Sequence, residues 1–370
     1  MKVAIITITV GANYGNKLQN YALGKFLNNM GVVAETVPFY AERPKQKKDL
    51  KHYIKKIYYF VFKGGLKKSV KDFFERKVIN RRYVNFNNFQ EKYIPQSNFS
   101  IKGDIIDSNL VKYYDYFICG SDQIWNPHFH TTTPVMFLNF VPKQQSIAYS
   151  ASFGISDIEE PKASEYGEYL KQFRAISVRE QAGVDIVKKT SDCQAELLID
   201  PTMLLTCDEW MKIEKKPSWY NGKPYVFTYY LGDLSQDIQK KIKNICSVNN
   251  WELIELTGEN VIKNKNYYVA SPDEFIWLIR NSKLVFTDSF HASVFSIILR
   301  TPFVVCDRKD KTKSMSSRID TLLSKFDFES RRYENVKEDQ LFDIDFSHTD
   351  KIFEKEREKS LNFLKNALSL

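Results

Sequence analysis

The stretch KLVFTDSFHASVFSIILRTPFVVCD, residues 283–307, contains two short apolar runs, LVF and FVV, with a longer apolar segment between them. The short runs are rich in β-branched and aromatic residues, which is typical of buried strands. The segment ASVFSIIL between them predicts a helix that starts soon after the first strand ends. Two strands joined by a helix at this spacing lie parallel in one sheet. The stretch therefore predicts an α/β fold, and it places His291 just beyond the end of a strand.

The same alternation of strands and helices continues along the whole chain. Between residues 206 and 225 the sequence is polar, contains two prolines and has no sustained period, which is typical of a domain boundary. We therefore predict two parallel-sheet domains, residues 1–210 and 220–345, each with its own apolar core, and an amphipathic helix over 350–370. The strand candidates are VAIITIT, VVAETV, YYDYFICG, SIAYSASFG, AISV, AELLID, PYVFTYYLG, WELIELTG, LVFTDS and PFVVCD.

The composition is that of a folded globular protein. Of the 370 residues, 43% are hydrophobic and 27% are charged. No apolar run reaches the roughly 18 residues that a membrane-spanning helix needs, and the apolar start of the chain lacks a small-residue cleavage site. The five cysteines are scattered and form no C-x-x-C pair, so neither a disulfide framework nor a zinc site is indicated. We therefore expect a cytoplasmic protein.

The net charge of +9 originates in a single segment. Residues 43–82 contain 15 lysines or arginines and 3 acidic residues, a local balance of +12 that leaves −3 for the rest of the chain. Aromatic side chains such as Tyr58 and Phe73 are interleaved with the basic ones. A basic, aromatic helix suits an anionic membrane surface, and it also suits a solvated insertion whose aromatic rings pack on the domain beneath. We keep both interpretations for a helical insertion over residues 43–89, and we expect no nucleic-acid partner.

The loops that follow the strands are the places to look for a site, because ligands of doubly wound sheets bind beyond the carboxyl ends of the strands. VGANYGN follows the first strand, and Gly11 and Gly15 would let a ligand approach the backbone there. The next helix would offer its first amides, including that of Asn16, to an anion. A glycine turn also suits any loop between a strand and a helix.

The loop GSDQIWNP, residues 120–127, places several polar side chains after the strand FIC. Burying so many polar groups is costly unless they pair with one another or contact a polyhydroxylated ligand. We interpret the loop as a ligand-binding element and keep the alternative that the tryptophan belongs to the core. The residues concerned are Gly120, Ser121, Asp122, Gln123, Trp125 and Asn126.

Arg179 directly follows the predicted strand AISV. A guanidinium at a strand end can donate two parallel hydrogen bonds to a phosphate or a carboxylate. The alternative is an ion pair with Glu180 or another acid.

The order of these motifs resembles the polysaccharide pyruvyl transferase family. The resemblance implies a GT-B-like architecture, in which two Rossmann-like domains face each other across a cleft and a C-terminal helix crosses back to the first domain. It also implies a transferase that moves pyruvate from phosphoenolpyruvate to two hydroxyls of one sugar, making a cyclic ketal in a bacterial capsule or exopolysaccharide. By the same resemblance, His291 is the catalytic histidine and Arg179 holds the anionic donor. The motifs are G-x-N-x-G-N, GSDQIWNP, SASFG, SVRE, IDPTMLL and TDSFHASVFSIILRTPFVV, and they extend to residue 305.

This chemistry gives His291 a role. Phosphoenolpyruvate is an enol ether, so protonation of its C3 makes C2 electrophilic, a sugar hydroxyl adds there, and a second hydroxyl displaces phosphate. Histidine has an unperturbed pKa of about 6.5, which suits both proton roles near neutral pH. Asp288 could orient the ring, and Ser289 or the amides of the next helix could bind phosphate. The alternative is a structural histidine bonded to a backbone carbonyl.

Ser289 departs from the family pattern. Better-known members have S-x-R-L-H here, with an arginine at the position of Ser289. Because serine cannot replace a bidentate cation, either another base holds the anion or the donor differs. Arg318 and Arg308 are the nearest candidates in the sequence.

His128 and His130 form an i, i+2 pair in NPHFHTTTP. No cluster of carboxylates accompanies them, so we favour a contact of His128 with the acceptor at the mouth of the cleft over a metal site. We predict neither a metal nor a cofactor, since phosphoenolpyruvate would be a co-substrate.

The main hypothesis is a pyruvyl transferase that acts on a sugar of a lipid- or nucleotide-linked precursor. A lipid-linked acceptor would suit a basic segment that holds the enzyme at the inner face of the membrane. The first alternative is a GT-B glycosyltransferase that uses a sugar nucleotide, with His291 as general base. The second alternative is a non-catalytic scaffold of envelope assembly. The missing arginine favours the first alternative, whereas the DSFH and GSDQ motifs oppose it.

Overall fold

The computed structural model describes residues 1–40, 65–129, 131–259, 261–307 and 317–370, with side chains from Glu75 onward in the helix that begins at Gly65. The described residues form two parallel sheets, each covered by helices.

The first sheet contains six parallel strands in the order β2, β1, β5, β6, β7, β8, and β3 and β4 form a separate parallel pair. The four central strands are almost entirely buried, as expected for a sheet with both faces covered. The strands are β1 Lys2–Ile6, β2 Val33–Thr36, β3 Phe39–Tyr40, β4 Ile101–Lys102, β5 Tyr116–Cys119, β6 Ser146–Ala151, β7 Ala175–Val178 and β8 Glu196–Leu197.

The second sheet contains four parallel strands in the order β10, β9, β11, β12. Its strands are β9 Tyr225–Tyr230, β10 Glu252–Thr257, β11 Leu284–Thr287 and β12 Phe303–Val305. The stretch at residues 283–307 becomes β11, a helix and β12, and Val285 pairs with Phe303 across the two strands. The strand–helix–strand prediction for this stretch is confirmed.

Helices connect the strands, and several begin at residues with clear capping chemistry. Asn13 accepts a hydrogen bond from the amide of Asn16 at the start of α1, and Ser271 and Glu274 form a capping box with Pro272 at the first position of α9. None of the helices, as far as they are described, is both long enough and apolar enough to cross a membrane. The helices are α1 Tyr14–Asn29, α2 Gly65–Tyr93, α3 Ser108–Tyr113, α4 Lys162–Leu170, α5 Gln181–Ser191, α6 Cys207–Met211, α7 Gln236–Asn249, α8 Lys265–Tyr268, α9 Pro272–Arg280, α10 Phe290–Ile298, α11 Ser317–Lys325 and α12 Thr349–Leu368.

The C-terminal helix α12 returns to the first domain. Arg357 donates hydrogen bonds from Nε to the carbonyl of Met203 and from Nη2 to that of Leu205, both at 2.9 Å. Phe363 packs near the ring of Tyr149 on β6. The predicted fold class, with two parallel-sheet domains and a helix that crosses back, is confirmed.

The two domains share one hydrophobic core at their junction, where the sequence predicted two separate cores. Tyr14, at the start of α1, lies in the second domain's apolar interior, stacked on Phe275 with ring centroids 4.4 Å apart. Its hydroxyl donates to the carbonyl of Ala270 at 2.8 Å. Burial raises the pKa of Tyr14 to about 12. This packing holds the start of α1 against the second domain.

The described end of the basic segment also joins the two domains. Arg82 on α2 is fully buried, and its guanidinium donates to the carbonyl of Ala12 in the first domain and to those of Thr257 and Tyr268 in the second. A charge held in this way cannot face a membrane, so the membrane interpretation is wrong for Arg82. Residues 43–64, where that interpretation has most of its support, lie outside the described residues.

We predict that Arg82→Met destabilises the protein. Three buried carbonyls lose their donor, and each such loss costs about 1–3 kcal/mol. We expect the free energy of unfolding to fall by about 2–5 kcal/mol, measured by urea denaturation. Arg81→Met removes the same charge from an exposed neighbour on the same helix and should change stability by less than about 0.5 kcal/mol. Equal unfolding midpoints for the two variants would contradict the role of Arg82.

Candidate active site

A cavity of about 1030 Å³ lies between the two domains, at the carboxyl ends of both sheets. Each sheet reverses its strand order at one point, between β1 and β5 in the first and between β9 and β11 in the second. In open α/β sheets, ligands bind at these switch points. The loops after β1, β5, β9 and β11 all contribute to the lining. The cavity is therefore the place where a ligand would contact both domains.

His291 is the second residue of α10 and lines the cavity. Its imidazole packs directly against Gly15 of the first domain. A Cβ added to Gly15 would lie only 2.1 Å from Nδ1 of the ring and 2.3 Å from Cε1. Glycine at position 15 is therefore required by the histidine ring. The beginning of α1 and the beginning of α10 face each other at this point.

Asp200 is a hub of buried hydrogen bonds that sequence reasoning missed. It caps the short 3₁₀ turn Pro201–Met203, and its Oδ1 accepts from the amide of Thr202 at 3.0 Å and from the Thr202 hydroxyl at 2.7 Å. Its Oδ2 accepts from Ser121 Oγ at 2.9 Å and from Arg179 Nη1 at 2.8 Å. The same oxygen lies 3.6 Å from Nε2 of His291. The signal in the sequence was IDPT, an acid between an apolar pair and a proline.

Arg179 is completely buried behind the cavity wall. Besides the bond to Asp200, its Nη2 donates to Asp122 Oδ1 at 3.0 Å, and its Nε lies 3.8 Å from Glu180 Oε2. The guanidinium also lies 4.6 Å from the centre of the Phe290 ring. These contacts agree with the alternative given for Arg179 in the sequence analysis, namely an ion pair with Glu180 or another acid. Arg179 is not among the described residues that line the cavity, so its predicted role in binding the donor would act through Asp122 and Asp200.

Asp122 brings this buried network to the cavity surface. It lines the cavity and has a φ of +67°, a left-handed conformation that asparagine and aspartate adopt more readily than most residues. Burial alone would raise the pKa of its carboxyl, but Arg179, His291 and Arg318 outweigh burial and hold the pKa below its usual range. The pKa of Asp200 is lowered in the same way, against the effect of burial, by His291, Arg179 and the Thr202 amide.

The other predicted donor-binding residues lie close to His291. Ser289 caps α10 by accepting from the amide of Ala292, and it lines the cavity together with Asn16 and Arg318. Arg318 is buried at the start of α11 and lines the same cavity as Ser289, the position that departs from the family pattern. Arg308 lies outside the described residues.

Asp288 has a different partner from the one predicted. Its Oδ1 accepts from the amide of Leu231 and its Oδ2 from that of Gly232, both at 2.8 Å. These bonds fix the loop after β9, which also lines the cavity. The carboxylate that approaches the imidazole is that of Asp200.

The loop of residues 120–127 contributes less to the cavity than predicted. Asp122 and Gln123 line it. Trp125 is a core residue, as the alternative held, because it is fully buried, stacks on Phe137 and donates from Nε1 to the carbonyl of Met136 at 3.1 Å.

Three further residues of the predicted acceptor site support the loop, and a fourth, His128, does not contribute to the described cavity lining. Gly120 packs closely against Thr7, and Ser121 is bonded to Asp200. The side-chain nitrogen Nδ2 of Asn126 donates to Gln123 Oε1 at 2.7 Å, so the two polar side chains pair with each other. His128 is exposed and lies outside the cavity lining described for this part of the chain, and His130 is not among the described residues. Phe129 and Thr131, the neighbours of His130, do line the cavity.

The second domain contributes a polar half of the cavity that sequence reasoning also missed. Asp233, Glu255 and Glu259 line this half. Glu255 pairs with Lys263 at 3.2 Å, and the Glu259 carboxylate accepts the amide hydrogen of Ala12 from the other domain. The signal was acidic residues at the ends of two strands, because Asp233 follows β9, Glu255 lies within β10 and Glu259 follows it. Within the described ranges, no group of three or more His, Cys, Asp or Glu side chains is arranged to hold a metal ion. That the protein needs no metal stays a prediction.

Comparisons with known proteins agree with this architecture. A family model described as polysaccharide pyruvyl transferase matches residues 13–310. No curated protein sequence matches the chain significantly. Among solved structures, the UDP-GlcNAc 2-epimerase from Neisseria meningitidis bound to UDP-GlcNAc is similar with a TM-score of 0.52 and 10% identity, covering 100% of this chain and 99% of the epimerase.

Two further structures are similar at lower scores. S. aureus MnaA with UDP has a TM-score of 0.49 and 10% identity, covering 100% of this chain and 97% of MnaA. The glycosyltransferase SnogD from Streptomyces nogalater has a TM-score of 0.37 and 10% identity, covering 100% of this chain and 95% of SnogD. At 10% identity, the likeness to the Neisseria epimerase concerns the fold alone, which is GT-B-like.

We predict that Gly15→Ala destabilises the protein, because the new methyl group cannot coexist with the His291 ring. Displacing a packed side chain costs about 1–3 kcal/mol. Gly24→Ala, on the same helix, places its methyl 3.8 Å from the nearest atom, Ile5 Cδ1, and should stabilise the helix by about 0.5–1 kcal/mol. Urea denaturation of both variants measures the difference, and a stabilised Gly15→Ala variant would contradict the contact.

We predict that acid destabilises the wild type partly through Asp200. Because its pKa is lower in the folded protein, the carboxylate contributes stability above its unfolded pKa of about 3.9, and this contribution is lost as the pH falls through and below that value. The unfolding midpoints of wild type and Asp200→Asn should therefore differ by a constant amount at neutral pH, and the difference should begin to narrow as the pH falls from about 4 to 3. Urea denaturation at several pH values measures this, and curves that stay parallel down to pH 3 would contradict it.

Proposed function

The chain belongs to the polysaccharide pyruvyl transferase family, and from this we propose that it transfers pyruvate from phosphoenolpyruvate to two hydroxyls of one sugar. The product would be a cyclic ketal on a precursor of a cell-surface polysaccharide. The family match covers most of the chain, including every residue that we place next to His291 except Arg318.

The observation that carries this proposal is the position of His291. Its imidazole lies in the cleft, against the beginning of α1, and a buried network of carboxylates and one guanidinium stands behind it. A general acid and base in the reaction must reach the enol carbon of the donor and the hydroxyl of the acceptor. A histidine on the wall between the two halves of one cavity is suited to both.

The donor would lie at the end of the cavity where two helices begin. The amide ends of α1 and α10 carry partial positive charge, and Arg318 adds a full one. Phosphoenolpyruvate has a carboxylate and a phosphate, so it needs cationic or amide donors at two places. Arg318 would supply the charge that Ser289 does not, which answers the departure from the family pattern.

The acceptor would occupy the rest of the cavity. A volume of about 1030 Å³ is large for phosphoenolpyruvate alone, since cavities of roughly 300–1,000 Å³ already bury drug-sized ligands. Asp233, Gln239 and Glu255 on the second domain, with Gln123 on the first, offer acceptors and donors for sugar hydroxyls. We place the sugar between these side chains, with His291 beside the reacting hydroxyl.

If the acceptor is lipid-linked, the basic segment, residues 43–82, would hold the enzyme at the membrane surface where that acceptor lies. Lysines and arginines near an anionic surface contribute about 1 kcal/mol each. Deleting the aromatic residues between Ile57 and Phe74 should then reduce sedimentation with anionic liposomes. Unchanged liposome binding would leave the pyruvyl transfer proposal intact and remove its membrane part.

The proposal predicts that phosphoenolpyruvate stabilises the wild-type protein more than sulfate does at the same ionic strength. A ligand at 100 times its Kd adds about 2.7 kcal/mol, because it binds only the folded state. Differential scanning fluorimetry with phosphoenolpyruvate, UDP, UDP-sugars and sulfate measures the effect.

Two arginine variants serve as the test and its control. Arg318→Gln should lose the stabilisation by phosphoenolpyruvate, whereas Arg300→Gln, on the surface and paired with Asp350, should keep it. If UDP-sugars stabilise the protein and phosphoenolpyruvate does not, the reaction is glycosyl transfer, the alternative that the missing arginine favoured. If no ligand of either class stabilises it, the non-catalytic alternative gains.

A further inference from the structure

We propose that Asp200 of the first domain is the positioning residue for His291 of the second, and that it keeps a proton on Nε2, so that Nδ1 exchanges protons with the substrates. The inference rests on the proposed function for the identity of the reaction. The arrangement of the two side chains can be tested without any substrate.

The surroundings of Nε2 decide where the proton lies in the neutral ring. Nε2 is buried and has no hydrogen-bond partner among the described residues, and the nearest anionic atom is Asp200 Oδ2 at 3.6 Å. A neutral imidazole has one N–H and one lone pair. A lone pair directed at a carboxylate oxygen is repelled, whereas an N–H directed at it is attracted. The neutral ring therefore carries its hydrogen on Nε2.

Asp200 cannot turn away to relieve the contact. Its two oxygens together accept four hydrogen bonds, two from Thr202, one from Ser121 and one from Arg179. Its side chain is completely buried. All four donors belong to the first domain, so the position of the carboxylate does not depend on His291, and the ring orients to the carboxylate.

The other edge of the ring faces the proposed chemistry. Nδ1 and Cε1 lie over Gly15, where α1 begins and where we place the donor. In the protonated ring, the hydrogen on Nδ1 would move to C3 of the enolpyruvate while the double-bond electrons form the new C–H bond. The first hydroxyl oxygen then bonds to C2 and returns its proton to Nδ1. When the second hydroxyl replaces phosphate at C2, its proton leaves with the phosphate through the same nitrogen.

The charged groups around the ring come from several elements. Asp200 and Asp122 are the anions and Arg179 lies between them, while Arg318 approaches Asp122 from α11. Among the described acidic residues, Asp200 is the one whose oxygen lies within 4 Å of a ring nitrogen of His291. His291 and Asp200 belong to different domains, so the pair depends on how the two domains pack against each other.

Nitrogen-15 NMR of the imidazole rings tests the tautomer directly, using the full chain without substrate. The chain has five histidines, so the His291 signals are assigned by their loss in His291→Gln. At a pH where the imidazole is neutral, we expect a hydrogen on Nε2 and none on Nδ1. A neutral ring with its hydrogen on Nδ1 would overturn the proposal, whatever any variant does.

Asp200→Asn tests the role in turnover. The carboxamide can present an N–H to Nε2, so we expect the Nδ1–H tautomer to appear and kcat to fall by roughly 10²–10⁴-fold, with KM for phosphoenolpyruvate nearly unchanged. Thr202→Val removes one hydrogen bond to the same carboxylate but keeps the charge, and it should retain the Nε2–H tautomer and lose less than about tenfold in kcat.

An Asp200→Asn protein with the wild-type tautomer and wild-type kcat would overturn the positioning role. If the variant does not fold, the wild-type NMR spectrum still decides the tautomer. If no pyruvyl transfer is found with any acceptor, the proposed function fails, and the tautomer measurement continues to judge the Asp200 inference separately.

Discussion

The guanidinium of Arg179 is the group on which the arrangement of the site depends. A buried carboxylate is costly unless a cation or several hydrogen-bond donors compensate it, and here two carboxylates, Asp122 and Asp200, bond to one guanidinium with a third, Glu180, close by. These residues follow three different strands of the first sheet, so the ion pairs join the ends of those strands. The ion pairs also fix the geometry of the cluster, because a movement of Arg179, Asp122 or Asp200 would break at least one buried ion pair.

The junction between the domains places the histidine against this cluster. Tyr14 and Arg82 connect the two domains through an aromatic stack and hydrogen bonds to three backbone carbonyls. Both lie next to the loop after β1, and Gly15 in that region receives the ring of His291. The contacts that hold the two domains together therefore also bring His291 of the second domain to the fixed carboxylate of Asp200 in the first. Stability and chemistry depend on the same few residues.

A GT-B-like fold has one large cleft, and the cleft of this protein combines two kinds of polar groups. Its lining contains two helix N-termini and Arg318, which suit an anionic donor, and also Asp233 and Glu255 of the second domain, which suit hydroxyl groups. His291 lines the same cavity. Family membership and this set of groups support pyruvyl transfer independently, because the first comes from the sequence and the second from the cavity lining.

The sequence by itself determined the order of strands and helices, the parallel sheets and the loops that meet at the cleft, because these follow from local periodicity and from strand-to-helix spacing. It also placed His291 beyond a strand end, and loop positions such as Gly15, Asp122 and Ser289 do lie at the cavity. Only the tertiary structure decided which polar groups are partners. Trp125 lies in the core, and Arg179 bonds to two acids behind the cavity wall. The carboxylate close to the imidazole is that of Asp200, not that of Asp288. Such pairings join residues far apart in the chain; Ser121 and Asp200, for example, are 79 positions apart. They depend on which side chains are buried together, and sequence periodicity does not reveal this.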